Sequence, residues 1–243
     1  KADVTLGVRV TDSAGYAATR LLSLHVSNIQ RLPYTQTFEG RSQLPAGWSQ
    51  EGSSVNWTIY KGSSLGVPAV AHSGTNNALL VKLNNTTSRT KLVMPTLNMG
   101  GVTNAQLSFW LCMAKKTYQD ELTVYYKTNA ADTVWTSITN FNQSITTWTK
   151  FVLDLPNASP TYIIAFEGAV RFGYGVCVDD VSVTGDYAAS AYDLWKADVF
   201  GADALNEAIA GDLADPDDDG IVNWLEFAMA LNPLVQDAGS AMT

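Results

Sequence analysis

The sequence predicts a mainly β protein: a two-sheet sandwich with a β-hairpin ahead of it and a small helical segment behind it. Short apolar runs recur over residues 55–183, separated by Gly, Asn, Ser and Pro clusters, with no helical pattern between them. Residues 3–27 alternate apolar and polar side chains on both sides of one turn, which is typical of a hairpin. Residues 187–231 instead place apolar side chains at helical spacing.

The hairpin is predicted to pair residues 4–10 with residues 20–26 around a turn at residues 12–15. Two strands cannot hold a core alone. Their sequence resembles the closing hairpin of bacterial immunoglobulin- and cadherin-like repeats. The resemblance implies that residues 1–31 are the end of such a domain. The chain would then be a fragment of a longer multidomain protein, with its neighbouring domains covalently attached.

The sandwich is predicted from nine further strands that follow one another at short intervals. They are residues 55–60, 78–83, 90–94, 105–113, 121–127, 134–139, 147–153, 162–167 and 175–183.

Several short motifs in this region follow one another in a recognisable order. They are Phe38-Glu39-Gly40, Leu44-Pro45, Gly47-Trp48, Leu107-Ser108-Phe109-Trp110, Trp135, Trp148 and Val178-Asp179-Asp180-Val181. The order resembles the MAM-like jelly rolls of bacterial surface proteins, described as cleaved-adhesin or choice-of-anchor J domains. The resemblance implies a jelly-roll β-sandwich over residues 32–186.

The same resemblance implies a structural calcium ion at one edge of the jelly roll. Its ligands would be Glu39 together with Asp179 or Asp180. A carboxylate beside a buried phenylalanine and a carboxylate doublet in a Val-rich strand both need a partner. The alternative is that these residues are ordinary turn and edge carboxylates.

Residues 215–226 fit the twelve-residue calcium loop D-x-[DN]-x-[DN]-G-x5-E at every position. Gly220 stands where the sharp turn requires a glycine, and a helix over residues 222–231 follows. All donors are oxygens, which favours Ca²⁺ over zinc. The alternative is a solvated acidic turn. The predicted ligands are Asp215, Asp217, Asp219, the carbonyl of Ile221, Asn223 through a water, and Glu226.

Residues 187–235 form the predicted calcium-binding module, and residues 236–243 are assigned to a tail. The module resembles a tail module of large bacterial secreted proteins, related in its loop to dockerin and thrombospondin type 3 repeats. It is short for independent stability, so bound calcium is expected to help it fold.

Charge is distributed unevenly along the chain. The formal net charge is −8. The segment from Asp186 onward contains twelve acidic residues and one basic residue, Lys196. This balance excludes nucleic acid as an expected partner. The sequence contains no apolar run that would span a membrane.

The two cysteines, Cys112 and Cys177, both lie in apolar strand-like runs. They could form a disulfide if their strands are neighbours. The alternative, which the apolar context favours, is a pair of buried thiols.

No catalytic arrangement is predicted. The two histidines, His25 and His72, fall in different predicted domains, and no serine lies in a G-x-S-x-G turn. Asp120-Glu121 and Asp179-Asp180 are adjacent along strands, and adjacent strand residues point to opposite faces. Neither doublet is therefore expected to form a carboxylate pair for catalysis.

The sequence thus favours a non-catalytic, calcium-stabilised extracellular module of a bacterial secreted or surface protein. It would serve adhesion, display or substrate targeting, with a glycan or a protein on a cell surface or matrix as its partner. One alternative is an accessory domain of a secreted peptidase. The other is a carbohydrate-binding module of a secreted hydrolase, with Trp57, Tyr60, Tyr118 and Trp135 as candidate stacking platforms.

Overall fold

A computed structural model describes residues 2–11, 17–26, 29–40, 42–52 and 55–236. The predicted turn at residues 12–15 lies outside the described residues, as does the predicted tail beyond Gln236. The chain divides into two compact units, Lys1–Asp186 and Tyr187–Thr243. The assignment of residues 1–31 to a separate domain stays a prediction.

The first two strands form the predicted hairpin. Strand β1 (Ala2–Thr11) pairs antiparallel with β2 (Ala17–Val26), and their register joins Ala2 to Val26 and Thr11 to Ala17. The relation of this hairpin to immunoglobulin-like repeats stays a prediction.

The rest of the first unit is a two-sheet β-sandwich, as predicted, and its strands are antiparallel. The strands are β3 (Tyr34–Gln36), β4 (Ser49–Gly52), β5 (Thr58–Tyr60), β6 (Asn77–Leu80), β7 (Ser88–Val93), β8 (Val102–Met113), β9 (Glu121–Lys127), β10 (Thr136–Phe141), β11 (Ile145–Asp154), β12 (Ile163–Val170) and β13 (Val176–Tyr187).

One sheet has five strands in the order β10-β9-β12-β7-β4. The other has the order β11-β8-β13-β6-β5, with β3 as its sixth strand on β13. Strand β13 changes partner along its length. Val176–Val178 pairs with β6, whereas Val181–Val183 pairs with β3, so Asp179 and Asp180 lie between the two pairings.

The core lies between the two sheets and follows from the period-2 alternation of the strands. In β8, Leu107, Phe109, Leu111 and Met113 are fully buried. The ring of Phe109 packs edge-on against Phe166 of β12, with 5.1 Å between the ring centroids. Burial of this apolar surface is the main term that stabilises the sandwich.

Residues 61–76 connect β5 to β6 and are called the crossing loop below. The start of the loop, at Gly62, is bound by the side chain of Asn77. Its Oδ1 accepts from the Gly62 N–H at 2.6 Å, and its Nδ2 donates to the Gly62 carbonyl at 3.1 Å. Near its other end, His72 stacks on Trp110 with 3.6 Å between the ring centroids. Trp110 alternates with the buried residues of β8, so this loop covers part of the outer face of the six-stranded sheet.

The second unit is helical, as predicted. It contains α1 (Ala191–Phe200), a 3-10 turn (Gly201–Asp203), α2 (Glu207–Ala210) and α3 (Asn223–Met229). The rings of Tyr192, Trp195 and Phe227 lie within 5.5 Å of one another, centroid to centroid. None of the helices that the structure describes is long and apolar enough to cross a membrane.

Candidate metal centre

The predicted calcium loop brings three carboxylates together. One oxygen each from Asp215, Asp217 and Asp219 lies within 4.8 Å of the others, and no other such group of metal-ligating side chains occurs among the described residues. The backbone holds this arrangement: the Asp219 N–H donates to Oδ1 of both Asp215 and Asp217 at 3.2 Å, and the Gly220 N–H donates to Asp215 Oδ2 at 2.9 Å. Gly220 has a φ of +89°, which explains why the turn requires a glycine.

Asn223 and Glu226 occupy the first turn of α3, and both side chains are fully buried. The Asn223 amide donates to the carbonyls of Ile209 and Gly211 at 2.8 and 2.9 Å. This fixes the orientation of the amide and leaves its Oδ1 buried without a hydrogen-bond partner in the described part of the chain. An unsatisfied buried acceptor costs about 1–3 kcal/mol, so this position favours a water or a cation.

The electrostatics of the loop also fit a cation. Burial raises the pKa of Asp217, and the neighbouring carboxylates of Asp219 and Asp215 raise it further. Asp217 Oδ2 is buried and has no hydrogen-bond partner among the residues described. The donor set, oxygens throughout, suits Ca²⁺. Calcium binding by Asp215, Asp217, Asp219, Ile221, Asn223 and Glu226 stays a prediction, which the geometry supports.

Asp179 and Asp180 both contact the crossing loop. Asp179 Oδ2 accepts from the backbone N–H groups of His72 and Ser73 at 3.0 and 3.3 Å. Asp180 Oδ1 accepts from Ser73 Oγ at 2.7 Å, and its Oδ2 lies 2.6 Å from His72 Nδ1. The expectation that these neighbours point to opposite faces was wrong. Asp180 has a φ of +46°, which interrupts the alternation of β13 and turns both carboxylates toward the same segment.

Glu39 contacts the same loop a few residues further on. Its carboxylate accepts from the Thr75 N–H and Thr75 Oγ1 at 3.0 and 2.7 Å, and from the Asn76 N–H at 2.8 Å. These bonds, with that from Asn76 first, lower the pKa of Glu39.

Residues 72–76 therefore connect the carboxylate that follows β3 with the carboxylates of β13, and protein groups donate to all three. We call residues 72–76, Glu39, Asp179 and Asp180 the carboxylate junction. A calcium ion at the junction stays a prediction of the family resemblance. The sequence did not reveal the donor segment, because its contacts join positions about a hundred residues apart.

The carboxylate junction contains the three residue types of a hydrolytic triad, but their connections do not form one. A triad needs the serine hydroxyl on the histidine and the histidine on the carboxylate. Here Ser73 Oγ and His72 Nδ1 both contact Asp180. The serine is therefore hydrogen-bonded to the acid instead of to a base that could activate it.

The four candidate stacking residues lie in different environments. Trp57 is 2% exposed, and its Nε1 donates to the Thr90 carbonyl at 2.9 Å, so its selection as a sugar platform was wrong: the ring belongs to the core. Tyr60 is 40% exposed. Tyr118 and Trp135 are half-buried.

A cation lies over each of the two half-buried rings. Arg171 Cζ is 4.1 Å from the Tyr118 ring centroid, and Lys127 Nζ is 4.2 Å from that of Trp135. The Trp135 Nε1 donates to Glu51 at 3.0 Å.

Comparison with known protein families shows to which family the sandwich belongs. Residues 37–187 match the MAM domain, meprin/A5/mu. The chain belongs to the MAM domain family. Comparison with curated proteins finds no match.

Three solved structures are similar to this MAM domain. A cleaved adhesin domain of Lys-gingipain gives a TM-score of 0.50 at 15% identity, over 63% of this chain and 98% of that one. Another cleaved adhesin domain of Lys-gingipain, from Porphyromonas gingivalis, gives 0.48 at 21% identity, over 62% and 96%. The xylan-binding domain CBM22-1 from Paenibacillus barcinonensis Xyn10C gives 0.47 at 10% identity, over 68% and 100%. The first likeness confirms the predicted jelly-roll β-sandwich.

Proposed function

We propose that this chain is a non-catalytic, calcium-stabilised module of an extracellular bacterial protein and that it serves attachment. The observation that carries the proposal is the loop in which Asp215, Asp217 and Asp219 converge within 4.8 Å. The buried acceptor of Asn223, a later position of the same loop, supports it. Membership of the MAM family supports the extracellular setting, where calcium is plentiful enough to fill weak sites.

The role of the ion is structural. Calcium would supply a positive charge that balances the mutual repulsion of the three loop aspartates. Glu226 and Asn223 lie on the first turn of α3, so the same ion would join the loop to that helix. The contacts of Ser73 and His72, which both go to Asp180 and not to each other, support a non-catalytic role.

The experiment is a calorimetric titration with CaCl₂, together with melting curves in excess calcium and in EDTA. A ligand at a hundredfold excess over its Kd stabilises the folded state by about 2.7 kcal/mol, so calcium should raise the melting temperature. A variant with both Asp217→Asn and Asp219→Asn should lose the heat of binding and the stabilisation.

The matched control is Asp198→Asn, which removes an exposed carboxylate of α1 and should keep both effects. Equal melting temperatures in calcium and in EDTA would contradict the calcium part of the proposal. Hydrolytic activity that survives repurification would contradict the non-catalytic part.

A further inference from the structure

Two loops at one end of the sandwich bring cations and aromatic rings together. Lys116, between β8 and β9, places its Nζ 4.7 Å from the ring centroid of Phe172 and 5.6 Å from that of Tyr174. Arg171, after β12, covers Tyr118 at 4.1 Å. Lys115 is exposed beside Lys116. These six side chains, Lys115, Lys116, Tyr118, Arg171, Phe172 and Tyr174, are called the basic aromatic cluster.

A buried carboxylate fixes the shape of the second loop. Asp120 is 1% exposed and accepts from the backbone N–H groups of Arg171, Gly173 and Gly175 at 2.8, 3.2 and 2.9 Å. A Cβ at Gly173 would lie 2.1 Å from Asp120 Oδ2, so only glycine permits this approach. The loop backbone is therefore organised in advance, and binding would not have to order it.

The same loop holds Phe172 at a φ of +58°, a conformation that is uncommon for a bulky residue. A positive φ at a non-glycine residue is retained only where the surrounding contacts stabilise it, and such residues are often found at ligand-binding sites. Here the hydrogen bonds on either side, to Arg171 and Gly173, hold it.

The basic aromatic cluster is locally positive. Residues 114–120 and 171–175 contain three cations, and their one carboxylate is the buried Asp120, which already accepts three backbone hydrogen bonds. The acidic excess of the chain lies from Asp186 onward, at the end of the sandwich that carries the cluster and beyond it.

We propose that the basic aromatic cluster binds an anionic oligosaccharide. The carboxylate or sulfate groups of the sugar would accept from Lys115, Lys116 and Arg171, whose guanidinium can donate two parallel hydrogen bonds. Tyr118 and Tyr174 are half-buried, and Arg171 and Lys116 lie over their rings, so the two tyrosines position these cations. The cation–π contacts hold the cations in place while their N–H groups still donate. The inference rests on the attachment function proposed above and names its ligand class.

Charge favours a short anionic glycan over a nucleic acid or an anionic membrane. Non-specific binding of a nucleic acid depends on an extended basic groove that neutralises many phosphates. The three cations of the cluster can neutralise only a few charges of a long polyanion.

The test is isothermal titration of the whole chain in calcium-containing buffer. The anionic probes are a heparin-derived hexasaccharide, which is sulfated, and tetragalacturonate, which is carboxylated; their comparison identifies the preferred anion. Cellohexaose, a single-stranded DNA oligonucleotide and vesicles with anionic lipid are the other probes. We expect at least one anionic sugar to bind about tenfold or more tightly than cellohexaose and the DNA, and the vesicles not to bind.

Variants assign the binding to the cluster. Removal of one charged hydrogen-bond partner costs about tenfold or more in affinity. Lys116→Gln and Arg171→Gln should therefore each lower the affinity for the anionic sugar by that factor. Tyr118→Ala should weaken it as well. The matched control, Lys150→Gln, removes an exposed lysine of β11 and should leave the affinity unchanged, and melting curves verify that each variant is folded.

Three results would overturn the proposal: equal affinity for cellohexaose, tighter binding to DNA or to vesicles, or an equal loss in Lys150→Gln. Its failure is distinguishable from failure of the calcium proposal. A chain whose melting temperature responds to calcium but that binds no anionic sugar overturns only this inference. Anionic sugar binding by a chain that is indifferent to EDTA overturns only the calcium proposal.

Discussion

At the scale of single residues, burial decides the state of the two cysteines. Cys112 and Cys177 are free thiols, fully buried in one apolar cluster with Leu79. The sequence did not decide between a disulfide and two free thiols, because it does not define the distance and orientation of the two strands, on which a bridge depends. The structure agrees with the thiol alternative that the apolar context favoured.

The buried thiols should be unreactive in the folded protein. Burial raises the pKa of Cys112 to about 11 and that of Cys177 well above its usual value, so little reactive thiolate forms at neutral pH. We expect iodoacetamide to modify neither thiol of the native chain within hours and both after denaturation in urea. Mass spectrometry counts the adducts. Rapid modification of the native chain would contradict the buried placement.

Asp120 makes a second prediction at this scale. Asp120→Ala would leave the buried N–H groups of Gly173 and Gly175 and the partly buried one of Arg171 without an acceptor, and it should reduce the free energy of unfolding by about 3 kcal/mol. Asp120→Asn keeps one acceptor oxygen and should cost less. Urea denaturation measures both, and Gln106→Ala, at an exposed position of β8, is the control.

The effect of Asp120 should also depend on pH. Burial raises its pKa, so the folded state holds this proton more tightly than the unfolded state, where the pKa is about 3.9. The contribution of Asp120 to stability is then fully present below pH 4 and declines as the pH rises through the folded pKa. The stability difference between the wild type and Asp120→Asn should decrease over that range; an increase would contradict the assignment.

At the scale of elements, the sequence predicted the strands that pack against the core. It did not predict a polar edge strand or the loop segment 72–76 that binds the carboxylates. The prediction at residues 121–127 coincides with β9 (Glu121–Lys127), because its alternating apolar residues face the core. Strand β4 (Ser49–Gly52) was missed, since a polar strand at a sheet edge has no apolar pattern. The family resemblance singled out Glu39, Asp179 and Asp180 as calcium ligands, a role that stays a prediction, but it did not reveal the segment 72–76 that binds all three.

The crossing loop gives the prediction at this scale. Asn77→Ala would remove the hydrogen bonds to both backbone groups of Gly62 within a buried site. We expect a loss of about 3 kcal/mol in the free energy of unfolding and faster hydrogen exchange in residues 61–76. The control is Asn84→Ala, where an exposed asparagine holds only a local turn. Unchanged exchange in the loop would contradict the anchoring role of Asn77.

At the scale of the whole molecule, the two units differ in how much apolar core each one has. The first unit buries a continuous cluster of large side chains between its sheets. In the described part of the second unit, the buried side chains larger than alanine are those of Phe200, Asn223, Glu226 and Pro233, of which two are polar. A domain of this size with so small an apolar core usually needs a metal or a disulfide to fold stably.

Removal of calcium should therefore unfold the second unit selectively. Without the ion, the repulsion between Asp215, Asp217 and Asp219 and the buried polar side chains of α3 both oppose folding, whereas the sandwich keeps its own core. We expect hydrogen exchange in residues 191–229 to become at least about tenfold faster in EDTA, which corresponds to a loss of about 1.4 kcal/mol in local stability. Exchange in β8 and β12 should stay unchanged. Asp217→Asn with Asp219→Asn should reproduce the effect in the presence of calcium. Uniform acceleration in both units, or protection of α1 and α3 that persists in EDTA, would contradict the selective unfolding of the second unit.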